Sequence, residues 1–296
     1  MSATRAVVAS PPQINFTINP SNDSGQGHLS YEIKPTKSVE DIMTIKNNSD
    51  QTIRLKVYAV DSTQSSDGAV AFKLSTAKQE TVGLWLRLNS DTVEIAPLKS
   101  IIVPYTINIP EQVTPGTYQG ALVAEIAQDQ AEGAEGKAIK VSTRLTEPLY
   151  ISIPGRKTID YSLEQFTVDQ STGKPTFHIR LNNQGNVFLK TEASLSITGL
   201  LLQKPYEISL NQPTILQGDS YEKTVTMDSP PLFGNYEATI SFLVSEYNPA
   251  TGKLKALQPI TRTVSFFILP LSLLIGLAII IILAIFSIRH LTSRHN

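Results

Sequence analysis

Apolar and polar residues alternate with a period of two over most of the chain between Gln13 and Val264. In Gln13–Pro20, Ile14, Phe16 and Ile18 share one face. In Leu29–Pro35 that face is Leu29, Tyr31 and Ile33. In Ile53–Asp61, Ile53, Leu55, Val57 and Ala59 lie opposite Arg54, Lys56 and Tyr58. A β-branched run with this period is a half-buried strand. The same reading gives strands at Ile42–Asn47, Trp85–Leu88, Val93–Pro97, Ile101–Pro110, Tyr118–Ile126 and Ile139–Leu145. Pro148–Pro154 reads as a linking strand, and Gly155–Lys157 as a boundary. Beyond it, strands are expected at Tyr161–Val168, Thr176–Asn182, Val187–Ile197, Tyr206–Leu210, Ser220–Met227, Tyr236–Tyr247 and Leu254–Val264. Gln128–Lys137 is polar and contains glycine, so it is expected to be a hairpin loop. No amphipathic helix of useful length precedes residue 266. Many short strands separated by turn signals predict β-sandwiches.

The pattern stops at Phe266–Ile288, a run without a charged residue whose only polar side chains are Ser272 and Ser287. As a helix it would span about 35 Å, against a bilayer hydrocarbon core about 30 Å thick. It is therefore expected to cross a membrane, closing its hydrogen bonds internally. Ser272 and Gly276 form a small-xxx-small pair, a hint of helix association. Residues 289–296 make a short basic tail.

The two strand-rich units share landmarks. Lys46-Asn47-Asn48-Ser49-Asp50 joins two strands in the first, and Leu181–Asn186 (LNNQGN) does so in the second. Ile95–Ser100 answers to Ile215–Ser220, and Gly116-Thr117-Tyr118 to Gly234-Asn235-Tyr236. Tyr118 and Tyr236 are expected to be tyrosine corners, with the ring in the core and the hydroxyl returned to the backbone. The fold class is thus all-β, with two tandem Ig-like sandwiches followed by one transmembrane helix. The first unit is longer, with its surplus around Ser62–Asn89, where a function absent from the second unit would lie.

Composition narrows the chemistry. The formal net charge is -1 and there is no cysteine, so disulfides and thiolate sites are excluded. No basic stripe points to nucleic acid. Four scattered histidines give no metal cluster. No phosphate loop, nucleophile elbow or zinc motif is present, and no cofactor is expected. Glu40 and Asp41 are adjacent, so they cannot face one gap as an acid/base pair, and they read as a solvated turn. Trp85, the only tryptophan, is a candidate sugar platform or binding anchor but reads more simply as half-buried packing. An enzyme is not expected.

Three stretches, Ile45–Asp61, Trp85–Ser100 and Ile109–Glu125, resemble the WxL-interacting proteins of Gram-positive bacteria. The resemblance implies a first Ig-like domain that binds peptidoglycan, a second that binds a partner protein, and a C-terminal membrane helix. Together with the strand pattern, the expected division is a disordered start or signal-peptide remnant at 1–12, a first domain at 13–154, a second at 155–263, a membrane helix at 264–288 and a tail at 289–296. The expected function is a non-enzymatic surface protein with its bulk outside the membrane and its C-terminus in the cytoplasm. Its expected partners are the lipid bilayer and either peptidoglycan or another surface protein. At the start, Arg5 is followed only by Ala6–Ser10, a signal-like end with almost no apolar stretch. Three explanations stay open: a start codon placed too late, exposure outside by another route, and no export. The last fits a different reading, a tail-anchored cytoplasmic adaptor resembling the major-sperm-protein type of Ig-like domain. A pilus-chaperone-like sandwich pair is a third reading.

Overall fold

The computed structural model describes residues 15–21, 27–126, 143–171, 173–200, 202, 204–230, 233–269, 276 and 278–287. The start at 1–12, the loop at Gln128–Lys137 and the tail at 289–296 lie outside the described residues. The first sandwich comprises β1 (Phe16–Pro20), β2 (Leu29–Glu32), β3 (Ser38–Asn47), β4 (Ile53–Gln64) and β5 (Val70–Phe72). A helical turn α1 (Val82–Trp85) follows, then β6 (Leu86–Leu88), β7 (Thr92–Ile95), β8 (Ser100–Asn108), β9 (Gly116–Ile126) and β10 (Arg144–Ile153). One sheet has the order β1-β3-β8-β6. The other runs β2-β10-β9-β4-β5, with β7 also on β4. Only β2 and β10 pair in parallel among these strands. Alternation aims Met43, Ile45, Leu55, Val57, Tyr105, Ile107, Leu122 and Leu149 into one buried core.

The second sandwich comprises β11 (Tyr161–Asp169), β12 (Thr176–Asn183), β13 (Phe188–Gly199), β14 (Tyr206–Ser209) and β15 (Thr214–Ile215). It continues with β16 (Ser220–Thr226), β17 (Gly234–Asn248), β18 (Lys253–Ala256) and β19 (Ile260–Ile268). A three-stranded sheet β11-β12-β16 faces a larger one built on β13 and β17. Its core gathers Phe177, Leu181, Leu195, Tyr221, Ile240 and Phe242.

Several expectations need correction. The linking strand is the second half of β10, which pairs with β9 along its whole length, from Arg144 opposite Glu125 to Ile153 opposite Gly116. Pro148 lies just before β2 begins to pair at Leu149, where a missing N–H leaves no neighbour short of a donor. The second sandwich also runs past residue 263. Phe266–Ile268 form the end of β19, paired to Gly234–Tyr236 of β17. Phe266 and Ile268 are buried, and Phe266 meets Phe177 edge-on at 5.5 Å. The apolar run therefore begins as a strand, because its first residues continue the alternation of β19. Residues 276 and 278–287 are helical, but no helix among the described residues is long and apolar enough to cross a membrane.

The sandwiches meet in an extensive polar seam. The hairpin joining β4 and β5 projects beyond its own sandwich onto the second one. Gln64 Oε1 accepts from Leu216 N at 2.9 Å, Ser66 O from Glu222 N at 2.5 Å, and Asp67 O from Asn211 Nδ2 at 2.8 Å. Elsewhere in the seam, Asn186 Nδ2 donates to Pro115 O at 2.8 Å, and His28 Nε2 to Pro249 O at 2.9 Å. Tyr150 lies edge-on to both Phe188 and Tyr247.

Candidate functional site

The surplus in the first unit folds into a charged cluster. After β4 the chain turns at Ser65–Gly68, returns as β5 and loops through residues 73–81 into α1. Asp61, near the end of β4 and only 3% exposed, organises that loop. Its carboxylate accepts from Glu80 N at 2.5 Å, Gly83 N at 2.8 Å and Thr81 Oγ1 at 2.9 Å. Lys73 Nζ stands 3.5 Å away. Thr81 does not cap α1 with its own side chain, so the orphan N–H groups of that turn are met by a carboxylate from β4. Burial opposes the charge on Asp61, but the bonds from Gly83, Glu80 and Thr81 outweigh it and hold the carboxyl below the usual carboxylate range.

Beside this cluster the outer face of the second sheet carries Val60, Ala121 and Val123, with Tyr58 and Phe72 packed against them. Tyr58 donates to Glu125 Oε2 at 2.6 Å. Burial first, and then this bond, push its hydroxyl up to about 12. The Arg144 guanidinium stands 5.8 Å from the centre of the Tyr58 ring and donates from Nη2 to Lys73 O at 2.7 Å. An arginine fixed over an aromatic ring beside a carboxylate offers stacking and charge-assisted hydrogen bonding at one place on the surface. It lacks an activated nucleophile. No group of three metal-ligating side chains occurs among the described residues.

A second concavity, about 260 Å³, lies in the seam and is lined by Glu32, Arg156, Lys157, Glu246 and Tyr247 among others. Lys157 Nζ and Glu246 Oε1 close one wall at 2.5 Å.

The residues singled out from sequence fall elsewhere. Trp85 is 7% exposed and lies edge-on to Tyr118 at 4.7 Å, so its ring is packing and offers no open face to a sugar. Tyr118 OH donates to Thr114 O at 2.8 Å, and Tyr236 OH to Phe233 O at 3.0 Å, both a short way upstream. Tyr236 is fully buried, whereas Tyr118 is partly exposed. Glu40 and Asp41 lie within β3 rather than in a solvated turn. Asp41 accepts from Ser21 Oγ, from Ile42 N and, at 2.7 Å, from Tyr31 OH. Tyr31 in turn stands 2.7 Å from Tyr105 OH. The Tyr58–Glu125–Arg144 group was missed because its members lie on three strands far apart in sequence. None of the three lies in the Ser62–Asn89 surplus, so the extra length of the first unit pointed only to the neighbouring Asp61–Lys73 cluster.

Against known proteins, the family model described as "WxL Interacting Protein, peptidoglycan binding domain" matches residues 15–125. No curated protein matches the chain. Among solved structures the chain is similar to the class 5 fimbriae chaperone CfaA, with 12% identity, a TM-score of 0.43, and 84% of this chain and 98% of that chain covered. It is also similar to the CupB2 chaperone of Pseudomonas aeruginosa, with 9% identity, a TM-score of 0.36, and 80% and 97% covered. A complex of the chaperone CsuC with the tip subunit CsuE from Acinetobacter baumannii gives 10% identity, a TM-score of 0.40, and 71% and 90% covered.

Proposed function

From the place of residues 15–125 in the peptidoglycan-binding domain family of WxL-interacting proteins, we propose that this chain is a cell-surface binding protein. Its first sandwich holds cell-wall peptidoglycan and its C-terminal run fixes it in the membrane. The family match is the observation that carries the reading, because it falls within the sandwich that bears the insertion. The Tyr58–Glu125–Arg144 face is the contact we favour, since peptidoglycan presents both amides and carboxylates. The work is recognition, not bond making or breaking.

Anchoring rests on the helical residues near the C-terminus. Ile279, Ile280, Ile281, Ile282, Leu283, Ile285 and Phe286 are all exposed. Burying seven such side chains is worth roughly 10 kcal/mol or more, and lipid provides that burial on every side of the helix. With Phe266–Ile268 in β19, the uncharged residues left for a span are Leu269–Ile288, a length that as a helix would come to about 30 Å and match the hydrocarbon core. Placing the sandwiches on the outer side accords with a wall-polymer ligand.

Co-sedimentation of the full chain in detergent micelles with purified Gram-positive peptidoglycan tests the ligand. Retention above a cellulose control is expected, and Arg144→Ala should weaken it about tenfold, roughly 1.4 kcal/mol. Retention equal to that on cellulose overturns the reading. Protease treatment of intact cells tests the topology: loss of both sandwiches is expected, and protection would place them inside.

A further inference from the structure

One end of the second sandwich carries apolar side chains that nothing among the described residues covers. Leu200 is 98% exposed, Phe233 52%, Leu269 54%, Phe267 47% and Tyr206 42%. Strand register brings them to the same end. Gly199, just before Leu200, is opposite Tyr236. Gly234, just after Phe233, is opposite Ile268, which adjoins Phe267 and Leu269. Tyr206 itself is opposite Ile197. Leu200 and Phe267 flank a depression of about 660 Å³. At the other end of β13, Phe188 pairs with Tyr247, and both rings meet Tyr150 of the first sandwich. The apolar end is thus the one facing away from the first sandwich. It is also the end from which the uncharged run leaves, with only Leu269 between the last strand residue and Pro270.

We propose that this end is seated in the interfacial layer of the bilayer, with Leu200, Phe233 and Phe267 reaching below the headgroups and Tyr206 at their level. The proposal rests on the membrane-anchoring reading above. A clustered apolar patch of this kind marks an interaction surface, and two features make lipid its occupant. The chain continues from the patch into an apolar run with no polar linker to hold the sandwich clear of the membrane. A tyrosine beside aliphatic and phenyl side chains is also the composition of a membrane–water boundary. The second sandwich is therefore a fixed base, not a bead on a string.

The absence of cysteine makes the test direct. Single variants Leu200→Cys, Phe233→Cys, Ile282→Cys and Ile102→Cys are labelled with an environment-sensitive fluorophore in the full chain. They are reconstituted in phosphatidylcholine–phosphatidylglycerol vesicles carrying nitroxide lipids, at either a shallow or a deep position. All four side chains are exposed, so labelling spares the core, and unchanged circular dichroism confirms the fold. Probes at 200 and 233 should shift to the blue and lose emission to the shallow nitroxide. The probe at 282 should lose it to the deep one, and the probe at 102, on the first sandwich, should lose none. Quenching at 282 without quenching at 200 and 233 leaves the anchor standing and overturns the seating. Silence at 200, 233 and 282 together overturns both. Quenching at 200 and 233 with silence at 282 upholds the seating and removes the span. A blue shift at 200 and 233 that grows with protein density and ignores nitroxide assigns the patch to a second copy, which also overturns the lipid assignment.

Discussion

Asn47 and Asn183 make matching hydrogen bonds in the two sandwiches. Each ends a strand, and each amide donates to the carbonyl four residues on: Gln51 at 2.7 Å for Asn47 and Val187 at 2.8 Å for Asn183. Each also reaches two consecutive carbonyls on a later segment, Ile95 and Ala96 in one case and Ile215 and Leu216 in the other. Each side-chain oxygen takes the N–H two residues on, from Ser49 or Gly185. A short amide thus ties the turn to the opposite layer. Replacing either asparagine by alanine strands buried carbonyls, and about 2–3 kcal/mol of stability should be lost. Urea unfolding of the two variants checks this, with similar losses expected for both.

Asp61 should make the first sandwich acid-sensitive. Its pKa is depressed by folding, so its contribution is fully present above the unfolded carboxylate value and disappears as pH falls through the folded one. Asp61→Asn, which cannot accept the same set of N–H groups, should lose about 3 kcal/mol at neutral pH. The gap from the parent should narrow in acid. Chemical unfolding of both proteins across the acidic range measures that convergence.

The seam depends on Gly68. It has φ +83, and a Cβ there would lie 2.3 Å from the Pro213 side chain and 3.0 Å from the Tyr221 ring. Gly68→Ala meets left-handed strain of about 1–2 kcal/mol, and the collision would push the hairpin off the second sandwich. A larger radius of gyration by solution scattering and faster proteolysis around residues 154–160 are expected, with each sandwich still folded.

Trp85 provides a built-in probe. As the only tryptophan, buried against Tyr118, it should emit in the blue and resist acrylamide. It should shift to the red only when the first sandwich opens. Saturating peptidoglycan fragments should leave its emission maximum unchanged, whereas a shift would show that the ring meets ligand.

Strand alternation made most of the fold legible, because each sandwich buries one side of nearly every strand. It failed where partners distant in sequence decide the local structure. Alternation alone would put Leu84 and Leu86 on one face and Trp85 on the other, yet Leu84 is exposed while Trp85 and Leu86 are both buried. The reason is Asp61, which winds residues 82–85 into a turn from some twenty positions upstream. Phe266 looked like the start of a continuous apolar span, since only the register with β17 reveals that it closes a core. The candidate face was hidden for the same reason: Tyr58, Glu125 and Arg144 acquire meaning only when β4, β9 and β10 lie side by side. The Asn-Asn motifs were visible, but the sequence could not tell that the first asparagine acts in one turn and the second in the other.

The fifteen residues of β17 run from the apolar end of the second sandwich to the seam, about 50 Å if fully extended. They are flanked on both sides by antiparallel neighbours. If the first sandwich holds the wall as proposed, tension would enter the second through β11 and leave through β19, so the ladder of β19 on β17 would have to shear together instead of unzipping in turn. Swelling or growth of the envelope would then meet a stiff tie rod, and the first thing to give should be the polar seam.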